Sequence, residues 1–427
     1  MNRMEKRANI VMIAPGSRGD IQPYIALGQG LRRAGHTVRI VTNKDFESLV
    51  TSYSLEIWPV DINIQAALQT QETSAAVERG GLVASFRKLA ELAGSGARML
   101  VQVGLEAAHD ADIIISGFGG ILVGASLAEK LDLPFIQAYN VPLTPTAEFP
   151  GVLMPWLSVW PYSISHRLSH WLTRQVVWQS ARSAGNRSRI ELLGLPSAPL
   201  TGMFNSKIFR NSPVLYGFSP SVLPRPSDWE ENIYVTGYWF ADEPDSWVPM
   251  PELLDFLNGG TAPVYIGFGS MSSEKPAEIM RLILDVLAIH NRRAIVHSGW
   301  AGLELASLPK NVLVVDSVPH SWLFPRVSAI VHHGGAGTTA AAIHAGVPSI
   351  VVPFHGDQPF WADLTHKLGV GTSPIPRRRL TVERLDTAIE IALEDGELRR
   401  RASELGDRVR KEDGITKAVE VIADTVH

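Results

Sequence analysis

The sequence predicts an α/β protein built from two doubly wound, Rossmann-like domains. Short β-branched runs alternate with helix-like stretches along most of the 427 residues, as they do in βαβ units that form parallel sheets. The alternation lapses once, over residues 212–250, and then starts again, which indicates two sheets. The predicted strands are residues 10–14, 37–42, 112–116 and 134–138 in the first half and 264–268, 294–297, 312–315, 329–332 and 349–353 in the second.

The same lapse gives the domain boundaries. Residues 212–250 are rich in Pro, Ser, Asp and aromatic residues, which is typical of a linker. They separate an N-terminal domain, residues 1–211, from a C-terminal domain, residues 251–405. Residues 377–427 carry 11 basic and 12 acidic side chains, a balance typical of a pair of solvated amphipathic helices. We expect the last helix, residues 406–427, to pack back on the N-terminal domain.

Composition excludes several classes of protein. The net charge of −4 argues against a general nucleic-acid binder, which needs a basic face. The absence of cysteine excludes disulfides, thiol nucleophiles, cysteine-ligated zinc and iron–sulfur clusters. No apolar run reaches the ~18–20 residues of a membrane-spanning helix, and the run at residues 10–14 is too short for a signal peptide. We expect a cytoplasmic protein, and contact with a membrane surface is left open.

The strongest local motif is VHHGGAGTT at residues 331–339. A predicted strand ends at the two histidines, the glycines let the backbone approach a ligand closely, and Thr338 opens an Ala-rich helix. Free N–H groups, a helix dipole, a hydroxyl and an imidazole would converge there. The motif therefore predicts a diphosphate site, and a tight strand-to-helix turn without a ligand is the alternative.

A dinucleotide site competes for the same segment. Gly335-x-Gly337-x-x-Ala340 fits the relaxed Rossmann fingerprint, and Asp357 follows at a distance suited to a ribose. A nicotinamide-dependent oxidoreductase would use the motif in this way. The adjacent histidines are foreign to that fingerprint, however, and the sequence after Asp357 (QPFW) suits sugar hydroxyls and ring stacking better.

A second motif, GSRGDIQP at residues 16–23, directly follows the first predicted strand. Asp20 would lie at the carboxyl edge of the sheet, where a carboxylate is either a helix N-cap or a general base. Arg18 could neutralise a phosphate or could be a solvated loop cation. The weaker motif GFGS at residues 267–270 also follows a strand, and its N–H groups could add to the phosphate site.

Three further patterns carry less weight. Residues 110–112 (DAD) match a metal-dependent sugar-transferase motif, but they precede their strand and so lie at the opposite edge of the sheet. His166 and His170 are four apart on a predicted helix without the glutamate of a zinc-hydrolase motif. Residues 149–178 hold a cluster of tryptophans that could form core, an apolar acceptor pocket or a membrane-facing patch. These tryptophans are Trp156, Trp160, Trp171 and Trp178.

Four ordered motifs together resemble the sterol 3-beta-glucosyltransferases, which are UDP-glycosyltransferases of glycosyltransferase family 1. The resemblance spans nearly the whole chain and implies the GT-B fold, in which two Rossmann-like domains face each other across a cleft. The motifs are GSRGDIQPY at residues 16–24, VPHSWLFP at 318–325, HHGGAGTT at 332–339 and PFHGDQPFW at 353–361.

The resemblance implies a role for each matching residue. Asp20 matches the general base, Val318 the position that holds the uracil edge, and Asp357 and Gln358 the contacts to the sugar hydroxyls. The residues expected to bind the donor are Ser17, Arg18, Gly19, Ser270, Trp300, Val318, His320, His333, Gly335, Gly337, Thr338, Asp357 and Gln358. The residues expected to bind the acceptor are Phe118, Tyr139, Trp156, Trp160 and Trp361.

The chain departs from the plant members of this family at two places. Their base is a histidine oriented by an aspartate, whereas this chain has Asp20 and no carboxylate in residues 116–118. These departures agree, because a carboxylate base has no tautomer to fix. Ser317 replaces a tryptophan that stacks on uracil, and Trp300 could stack instead, so that TDP-sugars remain open.

The resemblance implies an inverting glucosyltransferase that moves glucose from UDP-glucose to a sterol hydroxyl, forms a β-glucoside and needs no metal cofactor. The expected partners are a nucleotide sugar and an apolar acceptor, without nucleic acid, and the oligomeric state is not predicted. One alternative is transfer to a polyketide, antibiotic or flavonoid, with a TDP-sugar as an alternative donor. Another is a catalytically silent module that binds a sugar nucleotide or a lipid.

Overall fold

The computed structural model describes residues 7–61, 96–241, 247–269, 276–297, 308–316 and 318–426. The chain divides into two compact units. The first comprises Met1–Asp242 together with Asp413–His427, and the second comprises Glu243–Glu412.

Each unit contains one parallel sheet. The strands are β1 (Asn9–Ile13), β2 (Thr37–Asn43), β3 (Glu56–Val60), β4 (Ile113–Ser116), β5 (Phe135–Tyr139), β6 (Val214–Tyr216), β7 (Ile233–Val235), β8 (Val264–Gly267), β9 (Ala294–His297), β10 (Val312–Val315), β11 (Ala329–His332) and β12 (Ser349–Val351). The nine strands predicted from sequence are all present, each within two residues of its predicted ends.

Helices connect most of these strands. The α-helices that the structure describes are α1 (Arg18–Arg33), α2 (Glu47–Ser52), α3 (Ile121–Leu131), α4 (Tyr162–Glu191), α5 (Lys207–Asn211), α6 (Pro251–Asn258), α7 (Pro276–Ile289), α8 (His320–Leu323), α9 (Ala336–Ala345), α10 (Gln358–Lys367), α11 (Val382–Glu394), α12 (Gly396–Val409) and α13 (Gly414–Val426). Residues 96–107 are also helical. None of the helices that the structure describes is both long and apolar enough to cross a membrane.

The sheet of the first unit has seven strands in the order β3-β2-β1-β4-β5-β6-β7, all parallel. The central strands are buried on both faces, because helices cover the sheet on each side. This burial explains their continuous apolar runs, such as Ile113–Ile115, in place of an apolar–polar alternation.

Two strands of this sheet lie in the segment that the sequence predicted to be a linker. Residues 212–250 contain β6 and β7, which extend the first sheet beyond β5. Tyr216 in β6 is fully buried, and its ring lies against the rings of Tyr139 and Trp229. Phe218, Trp229 and Trp239 of this segment are buried as well, and residues 212–241 belong to the first unit.

The last helix, α13, also belongs to the first unit. It packs against α1, where Gly30 leaves the space that Ile415 fills; a Cβ atom on Gly30 would lie 2.3 Å from the Ile415 side chain. Ala418 and Ile422 of α13 are fully buried. The tail from residue 377 contains three helices rather than the predicted pair, and the chain returns to the first unit at Asp413.

The sheet of the second unit has five parallel strands in the order β10-β9-β8-β11-β12. Alternate residues of β8 point to opposite faces, as they must in a strand. Val264 and Ile266 face a core that α7 and α11 complete, whereas Tyr265 faces a core with Leu323 and Phe324.

Strand order reverses at one place in each sheet. In the first unit the reversal lies between β1 and β4, and in the second it lies between β8 and β11. Open α/β sheets bind ligands beyond the carboxyl ends of the strands at such a switch point, because the helices that follow the two strands lie on opposite faces and leave a crevice. The strongest sequence motifs, residues 16–23 and 331–339, follow β1 and β11.

Candidate functional site

The loop after β1 carries the first cluster of functional candidates. In the sheet register Ile13 pairs with both Val41 and Ser116, so the loops that follow β1, β2 and β4 begin at one edge. Asn43 accepts a hydrogen bond from the N–H of Gly16 (3.2 Å) and ties the β1 loop to β2.

Asp20 lies in the first turn of α1, three residues after the N-cap residue Ser17. Its Oδ2 accepts hydrogen bonds from the backbone N–H and from the hydroxyl of Ser17, both at 2.8 Å. Asp20 is therefore not the N-cap itself, as one interpretation of the sequence had it, but the carboxylate that binds back to the N-cap. A Cβ atom on Gly16 would lie 2.6 Å from Oδ2, so this arrangement requires glycine there.

One oxygen of Asp20 is available for chemistry. Within the part of the chain that the structure describes, Oδ1 accepts no hydrogen bond. The surrounding protein raises the pKa of the Asp20 carboxyl above its ordinary value, and the bonds from Ser17 partly oppose that change. The residue as a whole is exposed to solvent at this edge of the sheet.

Tyr24 supports the same site, although the sequence analysis gave this last residue of the GSRGDIQPY motif no role of its own. Its ring is buried, and its hydroxyl donates to the carbonyl of Ala138 in β5 (2.6 Å). Gly117 makes room for it, since a Cβ atom there would lie 2.5 Å from the hydroxyl. Tyr24 follows Asp20 by four residues and so shares its helix face, which is the signal that could have identified it.

The other residues predicted in this loop lie beside Asp20. Ser17 is the N-cap, and Arg18 and Gly19 form the first turn of α1, exposed to solvent. Phe118, predicted to contact the acceptor, is exposed in the short turn after β4. The loops after β1 and β4 therefore bring Ser17, Asp20 and Phe118 to the carboxyl edge of one sheet.

The structure does not support acceptor contact by two of the predicted aromatic residues. Tyr139 is buried at the end of β5, where its hydroxyl donates to Gln137 (3.1 Å) and its ring lies against Tyr216. Trp361 is buried in α10 of the second unit. Both side chains are part of the core because strand ends and amphipathic helix faces bury their largest apolar residues. Trp156 and Trp160, in contrast, are exposed, in the segment before α4.

The second cluster follows β11 in the second unit. His332 pairs with Gly267 of β8 and Val351 of β12, which brings the ends of these three strands together. The chain then turns at Gly334, whose φ of +90° favours glycine, and α9 begins after the N-cap Gly335. A Cβ atom on Gly334 would lie 2.7 Å from Val351, so the turn also has no room for a side chain.

His333 lies between two glycines at this turn. A Cβ atom on Gly335 would be 2.5 Å from its Nε2, and one on Gly269 would be 3.1 Å from its ring. Gly269, in the described part of the weak GFGS motif, is thus beside the HHGG motif. Burial lowers the pKa of His333 to about 4, with His355 contributing, so the imidazole is neutral at pH 7 and offers a hydrogen bond rather than a charge. Its Nδ1 is buried without a partner among the described residues.

The neighbouring His332 has a structural task. It is fully buried, and its Nδ1 accepts a hydrogen bond from the N–H of Gly334 (3.1 Å). Burial lowers the pKa of His332 to about 3, so the ring stays neutral. Of the two adjacent histidines, His332 shapes the turn and His333 is the candidate for ligand contact.

The first turn of α9 presents backbone donors. The N–H of Thr339 donates to the carbonyl of the N-cap Gly335. The N–H groups of residues 336–338 come before this first bond of the helix, so the helix itself offers them no acceptor carbonyl. The first turn carries no acidic residue. Gly337 and Thr338 are half-buried there, so this helix N-terminus retains the partial positive charge that attracts an anion.

Asp357 and Gln358 lie at the start of α10. Gln358 is buried, and its Oε1 accepts bonds from the N–H groups of Phe354 (2.8 Å) and His355 (3.2 Å), which fixes the loop after β12. Asp357 is the N-cap residue, and its Oδ2 accepts a bond from the indole of Trp361 (2.8 Å). Trp361 therefore positions Asp357.

Two of the remaining donor candidates, Val318 and His320, follow β10, and the others lie outside the described residues. Val318 is buried, and His320 stacks on Phe324 with ring centroids 4.2 Å apart and lies 3.4 Å from the Tyr265 hydroxyl. Their predicted contacts to the nucleotide stay predictions. Ser270, Trp300 and Ser317 lie outside the described residues.

The patterns set aside on sequence grounds have structural tasks. Asp112 Oδ2 accepts a bond from the N–H of Asn9 (2.7 Å), and Asp110 forms an ion pair with Arg39, both at the amino edge of the first sheet, as predicted. His166 and His170 bind backbone carbonyls of residues 147 and 149.

One cluster among the described residues has the ligand types of a metal site. His290, Asp386 and Glu390 bring their ligand atoms within 4.8 Å of one another. Arg292 forms ion pairs with both carboxylates, and the cluster lies between α7 and α11. A guanidinium thus already neutralises these acids, and the cluster is explained as an ion-pair network.

Two family models match the chain. The glycosyltransferase family 28 N-terminal domain matches residues 10–150, and the erythromycin biosynthesis protein CIII-like C-terminal domain matches residues 281–424. The first match covers the loop of Asp20, and the second covers the turn of His333. Both candidate clusters therefore lie in segments that known glycosyltransferase-related domains share.

Curated relatives match nearly the whole chain. Sterol 3-beta-glucosyltransferase UGT80B1 of Arabidopsis thaliana is 36% identical over 97% of this chain and 67% of its own length. UGT80A2 of the same plant is 35% identical over 96% of this chain and 64% of its length. The enzyme of Komagataella phaffii is 33% identical over 98% of this chain but only 34% of its own length. The chain thus spans about two thirds of the plant relatives and a third of the yeast one.

Solved structures share the fold at low sequence identity. The glycosyltransferase of kitacinnamycin aligns over 99% of this chain and 100% of its own, with a TM-score of 0.70 and 18% identity. VinC, solved in complex with DTDP, aligns over 98% and 99%, with a TM-score of 0.66 and 19% identity. These structures establish the GT-B fold, and the curated relatives above show that the chain belongs to the sterol 3-beta-glucosyltransferase family of glycosyltransferases.

Proposed function

We propose that the protein transfers glucose from UDP-glucose to a hydroxyl group of a sterol or a similarly apolar acceptor, and forms a β-glucoside with inversion at the anomeric carbon. The observation that carries this proposal is the 36% identity, over 97% of the chain, to a relative named for that reaction. The geometry of the two clusters supports the chemistry, one step at a time.

Asp20 is the general base in this proposal. Ser17 holds its Oδ2, so the carboxylate is fixed while Oδ1 is left for an incoming hydroxyl. As the acceptor oxygen forms its bond to the anomeric carbon, its proton passes to Asp20. The bond between that carbon and the diphosphate breaks, and its electron pair leaves with UDP. Base assistance of this kind typically contributes about 10²–10⁴ to the rate.

The turn after β11 stabilises the leaving diphosphate in this proposal. Its donors are the His333 imidazole, the Thr338 hydroxyl and the N–H groups at the start of α9. Such fixed donors act on developing negative charge without reorganisation, which is the task that a metal ion performs in other transferases. The proposal therefore includes no metal cofactor. Asp357, fixed by Trp361, and Gln358 are assigned to the sugar hydroxyls.

The experiment that tests this function is UDP release from UDP-glucose against a panel of sterols, flavonoids and macrolides, with and without EDTA. Turnover with a sterol that EDTA does not change would support the donor, the acceptor class and the metal-free mechanism together. The anomeric configuration of the product, read by proton NMR, tests inversion. An α-glucoside would contradict the proposed mechanism.

Other outcomes would move the protein within its family or out of the proposal. Turnover with only a polyphenol or a macrolide, or with only TDP-glucose, would replace the acceptor or donor and keep the fold and the base. Loss of turnover in EDTA that added Mg²⁺ restores would contradict the metal-free step. UDP binding without turnover for any pair would leave a silent binding module.

Contact with a membrane surface is part of the same proposal. Sterols dissolve poorly in water and reside in bilayers, so an enzyme that glucosylates them gains from reaching the bilayer surface.

A further inference from the structure

An apolar surface is exposed at the start of α4, in the first unit. It consists of Trp156, Val159, Trp160, Ile164, Leu168 and Trp171, each about half exposed or more, and we call it the α4 apolar surface. Trp160 is 83% exposed and Trp156 67%, whereas Trp178, two turns after Trp171 on the same helix, is only 1% exposed. Of the three interpretations of the tryptophan cluster, core packing thus holds for Trp178 alone.

The first half of α4 has its polarity reversed relative to an ordinary surface helix. Its exposed stripe is apolar, with Ile164, Leu168 and Trp171 at spacings of four and three residues. Its buried stripe is polar and consists of His166, Ser169, His170 and Thr173. A helix of a protein surrounded only by water places these two kinds of residue the other way round.

The polar inner stripe is used to hold a loop. The imidazoles of His166 and His170 bond to the carbonyls of Ala147 (2.9 Å) and Phe149 (3.1 Å), and Ser169 accepts from the N–H of Gly151 (2.7 Å). These satisfied bonds fix the orientation of the helix. The apolar stripe is consequently held facing outward.

The segment before α4 is fastened to the same end of the helix. Ser158 bonds to His166 (2.9 Å), and Ser165 donates to the carbonyl of Val159 (2.6 Å). These contacts fasten the segment that carries Trp156 and Trp160 to the first turns of α4, which carry Ile164. The six exposed apolar side chains therefore lie on one fastened segment and the helix that follows it, and a cluster of this kind marks an interaction site.

The sequence that carries this surface is basic. Residues 149–190 contain five arginines and neither an aspartate nor a glutamate, although Arg189 is buried and pairs with Glu129. Arg167 and Arg174 line a cavity of about 290 Å³ beside Trp171. Asp228 also lines this cavity and forms an ion pair with Arg167 (3.2 Å). The Arg174 guanidinium also bonds through Nε to the carbonyl of Leu143 (3.2 Å).

We propose that the α4 apolar surface docks onto an anionic lipid bilayer, with Trp156, Trp160 and Trp171 at the level of the headgroups and the exposed Arg167 against lipid phosphates. Tryptophan favours the membrane–water interface, and a helix with an apolar outer stripe and basic neighbours lies in the plane of that interface. A basic protein surface is attracted to anionic lipids and is repelled by a basic partner, so its charge favours an anionic bilayer as the partner. This proposal rests on the proposed function in one respect only: a sterol acceptor is the reason why the protein would need to reach a bilayer.

The test is co-sedimentation of the full chain with vesicles, in the absence of donor and acceptor. One vesicle population contains phosphatidylcholine alone, and the other also contains phosphatidylglycerol. We expect the wild-type chain to sediment with the anionic vesicles and to be released by salt, because exposed charges are screened. We expect Trp156→Ser/Trp160→Ser to weaken the partition coefficient by roughly tenfold or more, since each indole loses its apolar burial.

Two further variants keep the test decisive. Ile164→Ser/Leu168→Ser removes the helical stripe without touching a tryptophan and should weaken binding in the same direction. Val248→Ser/Ile391→Ser removes two exposed apolar side chains from the second unit and should bind as the wild-type chain does. Thermal unfolding of each variant shows whether it is folded, and a variant that binds less while its melting temperature is unchanged supports docking.

Several results would overturn the proposal. Wild-type chain that stays in the supernatant with both vesicle types would do so, as would equal binding by the wild-type chain and both surface variants. A surface variant that changes the mass in size-exclusion chromatography without changing vesicle binding would assign the surface to a second copy of the chain. Since no substrate is present, a failure here leaves UDP release untouched, and a failure of the proposed glucosyl transfer leaves the binding result standing.

Discussion

Helices α1 and α9 begin at equivalent places in the two units, directly after a strand at the switch point of a parallel sheet, yet their first turns differ in charge. The first turn of α1 contains Asp20, whose carboxylate binds back to the N-cap Ser17. The first turn of α9 contains no acid and follows the glycine N-cap Gly335. A helix N-terminus carries a partial positive charge, and α1 offsets it internally whereas α9 leaves it for a ligand.

This difference shows how two switch points of the same fold can present different chemical groups, a carboxylate in one unit and hydrogen-bond donors in the other. Where the chain brings its own carboxylate, the helix N-terminus is already partly neutralised, and the proposed role of that carboxylate is a base for a hydroxyl. Where it brings glycines and the neutral His333, the switch point offers only hydrogen-bond donors. We therefore expect substitutions that exchange these charges to have the largest effects on activity and binding.

The largest effect is expected from Asp20→Asn. The amide keeps an oxygen that can accept from Ser17 but cannot take a proton, so kcat should fall by roughly 10²–10⁴ while the affinity for UDP changes little. Initial rates of UDP release and calorimetric titration with UDP measure the two quantities. Asp45→Asn, an exposed carboxylate of the same unit, is the matched control and should keep full activity. Retention of a tenth or more of the wild-type kcat in Asp20→Asn would remove the base assignment.

The pH dependence of the rate tests the same proposed role of Asp20 as the base. A base must be ionised, so the rate should fall as pH decreases through the pKa of Asp20. Because the surrounding protein raises that pKa, the acidic limb should lie above the ordinary carboxyl value of 3.8. The measurement is kcat/KM for a soluble acceptor over the acidic range, and a flat profile down to that value would contradict it.

The second-largest effect is expected when a carboxylate is placed in the first turn of α9, where α1 has Asp20. Thr338 occupies the same helix position as Asp20, the third residue after the N-cap. A carboxylate there, about 5 Å from a bound diphosphate, costs on the order of 3 kcal/mol in a partly exposed site. Thr338→Asp should therefore weaken UDP binding by about 100-fold, as measured by calorimetry.

The uncharged replacement Thr338→Asn is the matched control for that experiment. It has nearly the same size and should weaken binding far less, since only the hydroxyl contact is changed. Equal losses in the two variants would mean that shape, and not charge, sets the affinity. Unchanged binding in Thr338→Asp would place the diphosphate elsewhere.

A smaller effect is expected for acid stability, through His332. Its pKa is about 3 in the folded protein against an ordinary 6.5, so the unfolded chain takes up a proton first as pH falls. Stability from this group is complete above pH 6.5 and declines below it, by up to about 3 kcal/mol at about pH 4. His332→Asn keeps an acceptor for the Gly334 N–H and should lose stability less steeply with acid, while the exposed His366→Asn should follow the wild-type curve. Denaturant unfolding at several pH values measures both, and parallel curves for all three proteins would contradict the assignment.

The sequence predicted the framework of both switch points because their signals are local. Continuous apolar runs marked the central strands, and glycine-rich turns marked their ends, as at Gly334 and Gly335. Family membership then selected glycosyl transfer over the nicotinamide-dependent interpretation of the same glycines. The roles of Asp20 and His333 remain predictions that the variants above address.

Tertiary packing decided what the sequence could not. Tyr139 ends β5 and Trp361 ends the motif at residues 353–361, but both rings are buried, and only the three-dimensional structure reveals this. The predicted linker contained β6 and β7, which are three residues long each and too short for a periodic signal. The outward stripe of α4 was hidden in the same way, since helical spacing does not tell which face is buried.

The smallest effect concerns the contribution of Asp20 to the stability of the fold. Since its folded pKa is raised, the unfolded chain ionises more readily, and the charge of Asp20 lowers the stability of the fold as pH rises past the ordinary carboxyl value. Asp20→Asn removes that charge and keeps an acceptor for Ser17, so it should be at least as stable as the wild-type chain at pH 7. Asp20→Ala also loses the bonds to the N-cap and should be less stable than Asp20→Asn by about 1 kcal/mol. Denaturant midpoints of the two variants make the comparison, and equal midpoints would mean that the bonds to Ser17 position a catalytic group without stabilising α1.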